Sequence, residues 1–305
     1  MIVPGYLKLY ESGELAERAK LFHQILASCV LCPRKCGVNR LAGERGYCKS
    51  GAEVMVSSSG PHFGEEPEIV GKSGSGTIFL TNCNLLCVYC QNYEISHLGH
   101  GEELPTGEVA DLMLSIQRIG CENVNLVTPT HYAPQLVDAI SVAAGKGLSL
   151  PIFWNCSGYE NVETIRLLEG VVDIYKPDIK YGDAGPAKRY SNAPDYFERC
   201  KEAVKEMHRQ VGDLKVDLRG VAYRGLLIRH LVLPNGLAGS RSVLEFISKE
   251  LSRESYINVM AQYRPCGRAR EHEELSRRPT PREYLEVVDL ARELGLHRGL
   301  GEAYL

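Results

Sequence analysis

From residue 77 onward, short apolar runs alternate with segments whose apolar positions recur every three or four residues. The runs at 77–83, 123–129, 150–156, 172–180, 225–234 and 257–265 have the length and composition of buried strands. The segments at 106–119, 133–146, 160–170, 195–211, 240–251 and 281–294 have the spacing of amphipathic helices. The last helix carries the clearest start signal: Thr280 caps it, Pro281 suits its first position, and Glu283 completes a capping box ahead of Tyr284, Leu285, Val288 and Leu294. Six strand–helix units in succession predict an α/β fold with a parallel sheet covered by helices. With six units instead of eight, the sheet curves into a partial (β/α)6 TIM-type barrel. Segment 213–224 fits neither period and is read as an extra hairpin.

The first part of the chain is different in kind. Residues 14–27 read as a helix with Leu15, Ala19, Phe22 and Leu26 on one face, followed by Cys29, Cys32, Cys36 and Cys48. This divides the chain into a small helical, cysteine-rich N-terminal appendage at 1–73 and a barrel at 74–305. Four closely spaced thiols predict a second metal site, with zinc, a single iron and an iron–sulfur cluster all chemically open. Two roles stand side by side: a clip that folds a short appendage, and an electron relay or docking site.

Composition narrows the class. The 305 residues, 44 % hydrophobic, suffice for a sizeable core, and a net charge of -3 provides no basic field for nucleic acid. Eleven cysteines, together with an N-terminal stretch that lacks the apolar core of a secretory leader, lead us to expect a reducing, cytoplasmic location. No apolar run approaches the length of a membrane span, so no membrane partner is expected.

In such sheets the chemistry sits at the carboxyl ends of the strands, where Cys83, Thr128, Asn155, Asp178 and Pro234 fall. Cys83, Cys87 and Cys90 follow the first strand in a compact loop and supply one ligand fewer than a cubane cluster has irons. A cluster that only transfers electrons normally has four cysteine ligands; with three, one iron stays open to a substrate or cofactor. A zinc site completed by His97 or His100 is the alternative.

The spacing of Cys83, Cys87 and Cys90, with Tyr89 just before the third cysteine, resembles the signature of the radical S-adenosylmethionine (SAM) superfamily. The resemblance implies a 4Fe-4S cluster whose open iron chelates SAM, reductive cleavage of SAM to a 5'-deoxyadenosyl radical, and hydrogen abstraction from a substrate. Cys90-Gln91-Asn92 is similar to the cysteine-histidine-asparagine of glycyl-radical-enzyme activating enzymes such as the activase of pyruvate formate-lyase. Most of the chain from Gly74 onward resembles a group related to that activase, through Gly60-Pro61-His62-Phe63-Gly64-Glu65-Glu66-Pro67, Gly74-Ser75-Gly76-Thr77 and Gln262-Tyr263-Arg264-Pro265.

That likeness implies that Asp178 and Lys180 face the cofactor, that Arg229 meets the SAM carboxylate, that Tyr89 packs near the adenine, and that Asn92 helps hold the cluster loop. A surface ion pair is the other reading of Asp178 and Lys180. One departure is clear: where the superfamily carries Gly-Gly-Glu to bind the SAM amino group, this chain has Thr128-Pro129-Thr130-His131-Tyr132-Ala133-Pro134, whose hydroxyls and carbonyls would take over that contact.

Other residues keep two readings. His131 and Tyr132 are substrate contacts or part of a rigid proline-bounded turn. Gln262, Tyr263 and Arg264 are substrate contacts or packing groups. Cys156 faces the site or is, like Cys121, Cys200 and Cys266, a single thiol. His230 is read as a core or interface histidine, and the loop of His62, Glu65 and Glu66 as a solvated turn or a lid.

The leading expectation is an anaerobic radical SAM oxidoreductase that activates a glycyl-radical enzyme, reduced by flavodoxin or ferredoxin, with a barrel mouth near His131, Tyr132 and Arg264 open to a peptide. Radical modification or methylation of another protein residue or a small metabolite is the second reading. A non-catalytic metal or electron-transfer protein is the third.

Overall fold

A computed structural model of the chain describes residues 3–300. Nine strands form one curved sheet: β1 (Val54–His62), β2 (Ser75–Leu80), β3 (Glu102–Leu104), β4 (Val124–Val127), β5 (Ile152–Cys156), β6 (Ile174–Pro177), β7 (Lys215–Val216), β8 (Ala222–Leu231) and β9 (Tyr256–Met260). The order is β3-β1-β2-β4-β5-β6-β8, with β7 and β9 both pairing with β8. β2, β4, β5, β6, β8 and β9 run parallel and are the six strands expected from the apolar runs. All but β5, which ends at Cys156 as predicted, stop short of the predicted carboxyl end, where the chain leaves the ladder. Segment 213–224 turns back as expected, laying β7 antiparallel on β8. The path ends at β3 on one side and β9 on the other, so the barrel stays open along one seam.

The helices lie where the periodicity puts them: Thr106–Ile119, Ala133–Gly145, Val162–Leu167, Tyr196–Val211, Ser240–Phe246 and Pro281–Glu293. The capping box at Thr280 and Glu283 is formed in both directions. Gly76 in β2 marks the tightest approach of helix to sheet, since a Cβ there would lie 2.0 Å from Ile116 Cγ2 and 2.6 Å from the Asn123 carbonyl. Among the described residues no helix is long and apolar enough to cross a membrane.

The 1–73 stretch is built into this sheet and its core. β1 pairs antiparallel with β2, and β3 with β1. Helix Glu14–Ile25 packs on Ala133–Gly145, burying Leu15 and Phe22, while Leu26 is buried just beyond its end. Tyr6 is buried and donates to the Leu150 carbonyl at 3.0 Å. The Asp173 carboxylate accepts from Gly5 N at 2.8 Å and Ile152 N at 3.0 Å, which fixes the N-terminal helix to the start of β5.

Inside the barrel a second, smaller apolar cluster contains Phe153, Ile174, Leu227 and Tyr256, all on the inward face of their strands. Ile69 completes it. It belongs to the short helix Pro67–Val70, which enters from the amino ends of the strands and is held by Asn123 Nδ2 to the Ile69 carbonyl (2.8 Å) and by Tyr256 OH to Glu68 (2.7 Å). The connection from β1 to β2 is therefore a plug that floors the barrel, in place of the solvated turn or lid expected for this stretch. Ile69→Ala should lower the unfolding free energy by about 2–5 kcal/mol in chemical denaturation, and a loss below about 1 kcal/mol would mean that the floor is not packed.

Candidate active site

Residues 81–92 follow β2 and carry Cys83, Cys87 and Cys90 to the rim of a cavity at the carboxyl ends of the parallel strands. The loop is held from all sides. Thr81 N donates to the Met55 carbonyl (2.9 Å), Asn82 N to Ile95 (2.8 Å), Val88 N to Tyr190 (2.8 Å), and Arg268 N donates to Val88 (2.7 Å). Buried Asn84 donates through Nδ2 to the Tyr159 carbonyl at 2.7 Å. Asn82 (φ 64°) and Leu86 (φ 55°) take the left-handed conformation that bulky residues avoid, as does Thr128 (φ 63°) across the cavity. Those turns let the three thiols face one space.

Burial pushes the Cys83 thiol up to about 12 and the Cys87 thiol upward as well. Deprotonation here needs a bound cation, which is the linkage expected of a metal-thiolate site. Leu85 N already points at Cys83 Sγ (3.3 Å), and Ser96 Oγ lies 3.2 Å from Cys90 Sγ, so donors to thiolate sulfur are in place. The opposite wall is polar: Asn92, Thr128, Asn155, Asp178 and Lys180 line the same cavity. Tyr89 OH, Ser157 Oγ and Asp178 Oδ1 are buried there with no partner among the described residues. Three convergent thiols facing unpartnered polar atoms fit a three-ligand cluster with a polar organic cofactor beside it.

Below this wall lies a layer of buried charge. Lys176 Nζ is fully buried against Glu65. Arg229 grips Glu66 through Nε (2.6 Å) and Nη2 (2.7 Å), and Nη2 also meets Glu65. Asn258 Nδ2 adds a bond to Glu66 at 2.7 Å. Burial alone would raise both carboxyls, but the adjoining cations win: Glu65 is held below its usual range by Lys176 and Arg229, and Glu66 at about 2 by Arg229. Burial lowers Lys176, against the pull of its glutamates. Above this layer Lys180 donates to Asp178 Oδ2 at 2.7 Å, and that carboxylate raises Lys180 in spite of burial.

The comparisons agree with this geometry. The model of the radical SAM superfamily matches residues 77–218. Uncharacterized protein MJ0674 of Methanocaldococcus jannaschii is 33 % identical over 289 residues, 92 % of this chain and 78 % of that protein. Uncharacterized protein MJ0808 of the same organism is 24 % identical over 308 residues, covering 91 % of this chain and 80 % of its own length. The chain belongs to the radical SAM superfamily. A radical SAM methyltransferase from Sphaerobacter thermophilus shares the fold, with a TM-score of 0.50 and 14 % identity over 73 % of this chain. The chain spans 65 % of that structure, less than two thirds of its length.

Membership of that superfamily implies a 4Fe-4S cluster, which Cys83, Cys87 and Cys90 would hold, and SAM beside it, a pair that would supply one-electron chemistry there. The expected residues Tyr89, Asn92, Asp178, Lys180 and Arg229 all line the cavity with the three cysteines. Asp178 and Lys180 do form an ion pair, yet one that faces the cavity and leaves Asp178 Oδ1 free. Arg229 differs from expectation in its engagement: Nε and Nη2 are spent on the two glutamates, leaving only Nη1 without a partner among the described residues. Tyr89 stands edge-on to Tyr181 and Tyr263, its ring fixed between them.

His131 and Tyr132 are not at the barrel mouth. Both are buried: His131 Nε2 lies 2.9 Å from the Thr81 carbonyl, and Tyr132 OH accepts from Asn82 Nδ2 at 3.1 Å. They brace the start of the cysteine loop from behind, and burial lowers His131 to about 3, so it stays neutral. Of the segment that replaces Gly-Gly-Glu, Thr128 alone lines the cavity. His230 is a satisfied core histidine, bonded to the Ile179 carbonyl and Ser240. Cys156, Gln262, Tyr263 and Arg264 line the cavity, whereas Pro234 does not.

Lys176 was not among the expected residues. Its signal was present in Lys176, Asp178 and Lys180, alternate positions that share one face of a strand. The four N-terminal cysteines lie on neighbouring turns: Gly37 N bonds the Cys29 carbonyl at 3.0 Å, and Cys36 Sγ lies 3.9 Å from it. Among the described residues no three metal-ligating side chains are gathered tightly enough to enclose a single ion.

Glu66 makes the charge layer acid-sensitive. Its ordinary value is 4.5 and its folded value about 2, so its contribution to stability is fully present above about pH 4.5 and lost as pH falls toward 2. The unfolding free energy of the parent protein should fall through that window by a few kcal/mol more, roughly, than that of Glu66→Gln. Equal slopes in acid denaturation would mean that the ion pair with Arg229 does not form.

Proposed function

We propose that this radical SAM protein is a glycyl-radical-enzyme activase. Cys83, Cys87 and Cys90 would hold a 4Fe-4S cluster with SAM beside it; given one electron from a reduced flavodoxin or ferredoxin, the pair would supply reductive cleavage of the sulfur–C5' bond, with methionine and 5'-deoxyadenosine as products and the Cα hydrogen of a partner's glycine as the atom taken up. The carrying observation is the single cavity that gathers Cys83, Cys87 and Cys90 with Asn92, Asp178 and Lys180 at the strand ends. Asp178 Oδ1, Ser157 Oγ and Thr128 are the groups available to hold the polar parts of SAM, with Arg229 contributing through Nη1. Tyr89 supplies an apolar face near the adenine. Exposed Gln262 and Arg264, just past β9 at the open side of the barrel, suit the backbone of an extended peptide.

The N-terminal cysteines are proposed to hold a second metal, zinc, iron or an iron–sulfur cluster. Lys35 (φ 40°), Gly37 (φ 66°) and Lys49 (φ 60°) make tight left-handed turns beside Cys36 and Cys48. Eleven free cysteines favour a reducing cytoplasm, and exposed Lys35 and Lys49 suit an acidic electron carrier. The second reading, radical modification or methylation of another protein residue or a small metabolite, is favoured by the withdrawal of His131 and Tyr132 from the mouth.

Anaerobically reconstituted protein should cleave SAM and show a reduced-cluster resonance that shifts when SAM is added, and a Cys83→Ala/Cys87→Ala variant should form no 5'-deoxyadenosine. Asp178→Ala should weaken SAM binding by roughly 1.5–3 kcal/mol, and unchanged affinity would remove Asp178 from the cofactor wall. With a glycyl-radical enzyme as partner, the expected paramagnetic signal is a glycyl doublet. Its absence, with 5'-deoxyadenosine formed only on addition of another substrate, would favour the second reading. A variant lacking Cys83, Cys87 and Cys90 should retain bound zinc or iron; finding neither would remove the N-terminal metal.

A further inference from the structure

Arg34 lies two residues after Cys32 and two before Cys36, yet its guanidinium is directed away from them, toward the catalytic loop. Nε donates to the Asn84 carbonyl at 3.0 Å, Nη2 to the Ser191 carbonyl at 2.9 Å, and Nη1 to Asn192. Asn84 adjoins Cys83. The 190–192 stretch is the other support of the loop, because the Tyr190 carbonyl accepts from Val88 N at 2.8 Å, next to Cys87. The guanidinium lies over the ring of Tyr47 at 3.9 Å, and Tyr47 itself stands just before Cys48; Tyr159 closes the other side at 5.1 Å. The Tyr159 carbonyl in turn accepts from the Asn84 side chain at 2.7 Å.

One planar cation, two residues from Cys32 and Cys36 and stacked on the neighbour of Cys48, thus spends one donor on the carbonyl next to Cys83 and two on the Ser191 and Asn192 carbonyls, beside the Tyr190 carbonyl that holds Val88. We propose that Arg34 is a positioning residue that couples the two cysteine groups, so that the metal ordering Cys29, Cys32, Cys36 and Cys48 also sets the loop that presents Cys83 and Cys87 to the cluster. This rests on the reading of the N-terminal cysteines as a metal site. The fork matters as much as the charge: three carbonyls in different directions need the several coplanar N–H groups of a guanidinium, which neither an ammonium nor an amide supplies. Groups outside a metal's own ligands set ligand geometry in this manner, and their loss typically weakens a site without emptying it.

The test compares the full chain, anaerobically reconstituted, with Arg34→Gln, Arg34→Lys and Cys36→Ala. The readouts are the rate at which a chelator strips the catalytic cluster, the paramagnetic resonance of the reduced cluster with and without SAM, and the melting temperature. Arg34→Gln and Cys36→Ala should both lose the cluster about 10-fold faster or more and alter the SAM-induced shift. Arg34→Lys should behave as Arg34→Gln; full rescue by lysine would overturn the fork as the coupling device. Unchanged stripping rate and resonance in a folded Arg34→Gln variant would overturn the proposal. Should that variant fail to fold, Cys36→Ala carries the test alone, and loss of its N-terminal metal with an unaltered catalytic cluster overturns the coupling. Metal content of the variant lacking Cys83, Cys87 and Cys90 separates the two readings: an empty N-terminal site there refutes the second metal, and the coupling with it. A parent cluster whose resonance ignores SAM would refute the proposed function and leave the chelator comparison standing.

Discussion

Six parallel strands curve without closing, and a barrel left open along a seam has an interior that its own strands cannot fill. The layer of buried charge across that interior is what the rest of the architecture depends on. Glu65 and Glu66 arrive from the connection between β1 and β2, at one side of the seam, and bind Lys176 on β6, Arg229 on β8 and Asn258 on β9 at the other. Beneath them Ile69 fills the apolar bottom of the barrel. Two glutamates and two cations so placed tie the β1–β2 connection to β6 and β8, with which neither β1 nor β2 shares a ladder, and they do so directly under the cavity.

Such a layer is costly to bury and is retained only when its geometry is well satisfied. Here each carboxylate has more than one donor, so removing any single member would strand a charge in the interior. The arrangement also decides how Arg229 can act. A guanidinium already neutralised by carboxylates offers a cofactor a directed N–H more than a net positive charge, which leaves Lys180 and Asp178 to set the local field. The polar wall above and the ionic floor below give the cavity balanced charge, suited to a ligand such as SAM that carries both signs.

Much of this was legible in the chain. Apolar run length located all six parallel strands, helical periodicity located the helices between them, and the Thr280 box was complete in the sequence. The cysteine spacing identified the chemistry. The floor was not legible: Gly64, Glu65, Glu66 and Pro67 have the composition of a solvated turn, and only long-range cations make the burial of the two carboxylates possible. β1 escaped notice because Ser57, Ser58, Ser59 and Gly60 dilute its apolar alternation. His131 and Tyr132 misled for the opposite reason. Their chemistry suggested a ligand, but His131 Nε2 and Tyr132 OH are engaged behind the loop by the Thr81 carbonyl and the Asn82 amide.

Asn82, Leu86 and Thr128 hold left-handed backbone without being glycine, and all three surround the thiols. Conformations of this kind persist only where the surroundings over-determine them. The surroundings of the cysteine loop thus hold a shape that its own residues would abandon in isolation. Sequence drift in those distant supports would therefore be felt at the thiols, although none of the supporting residues touches them.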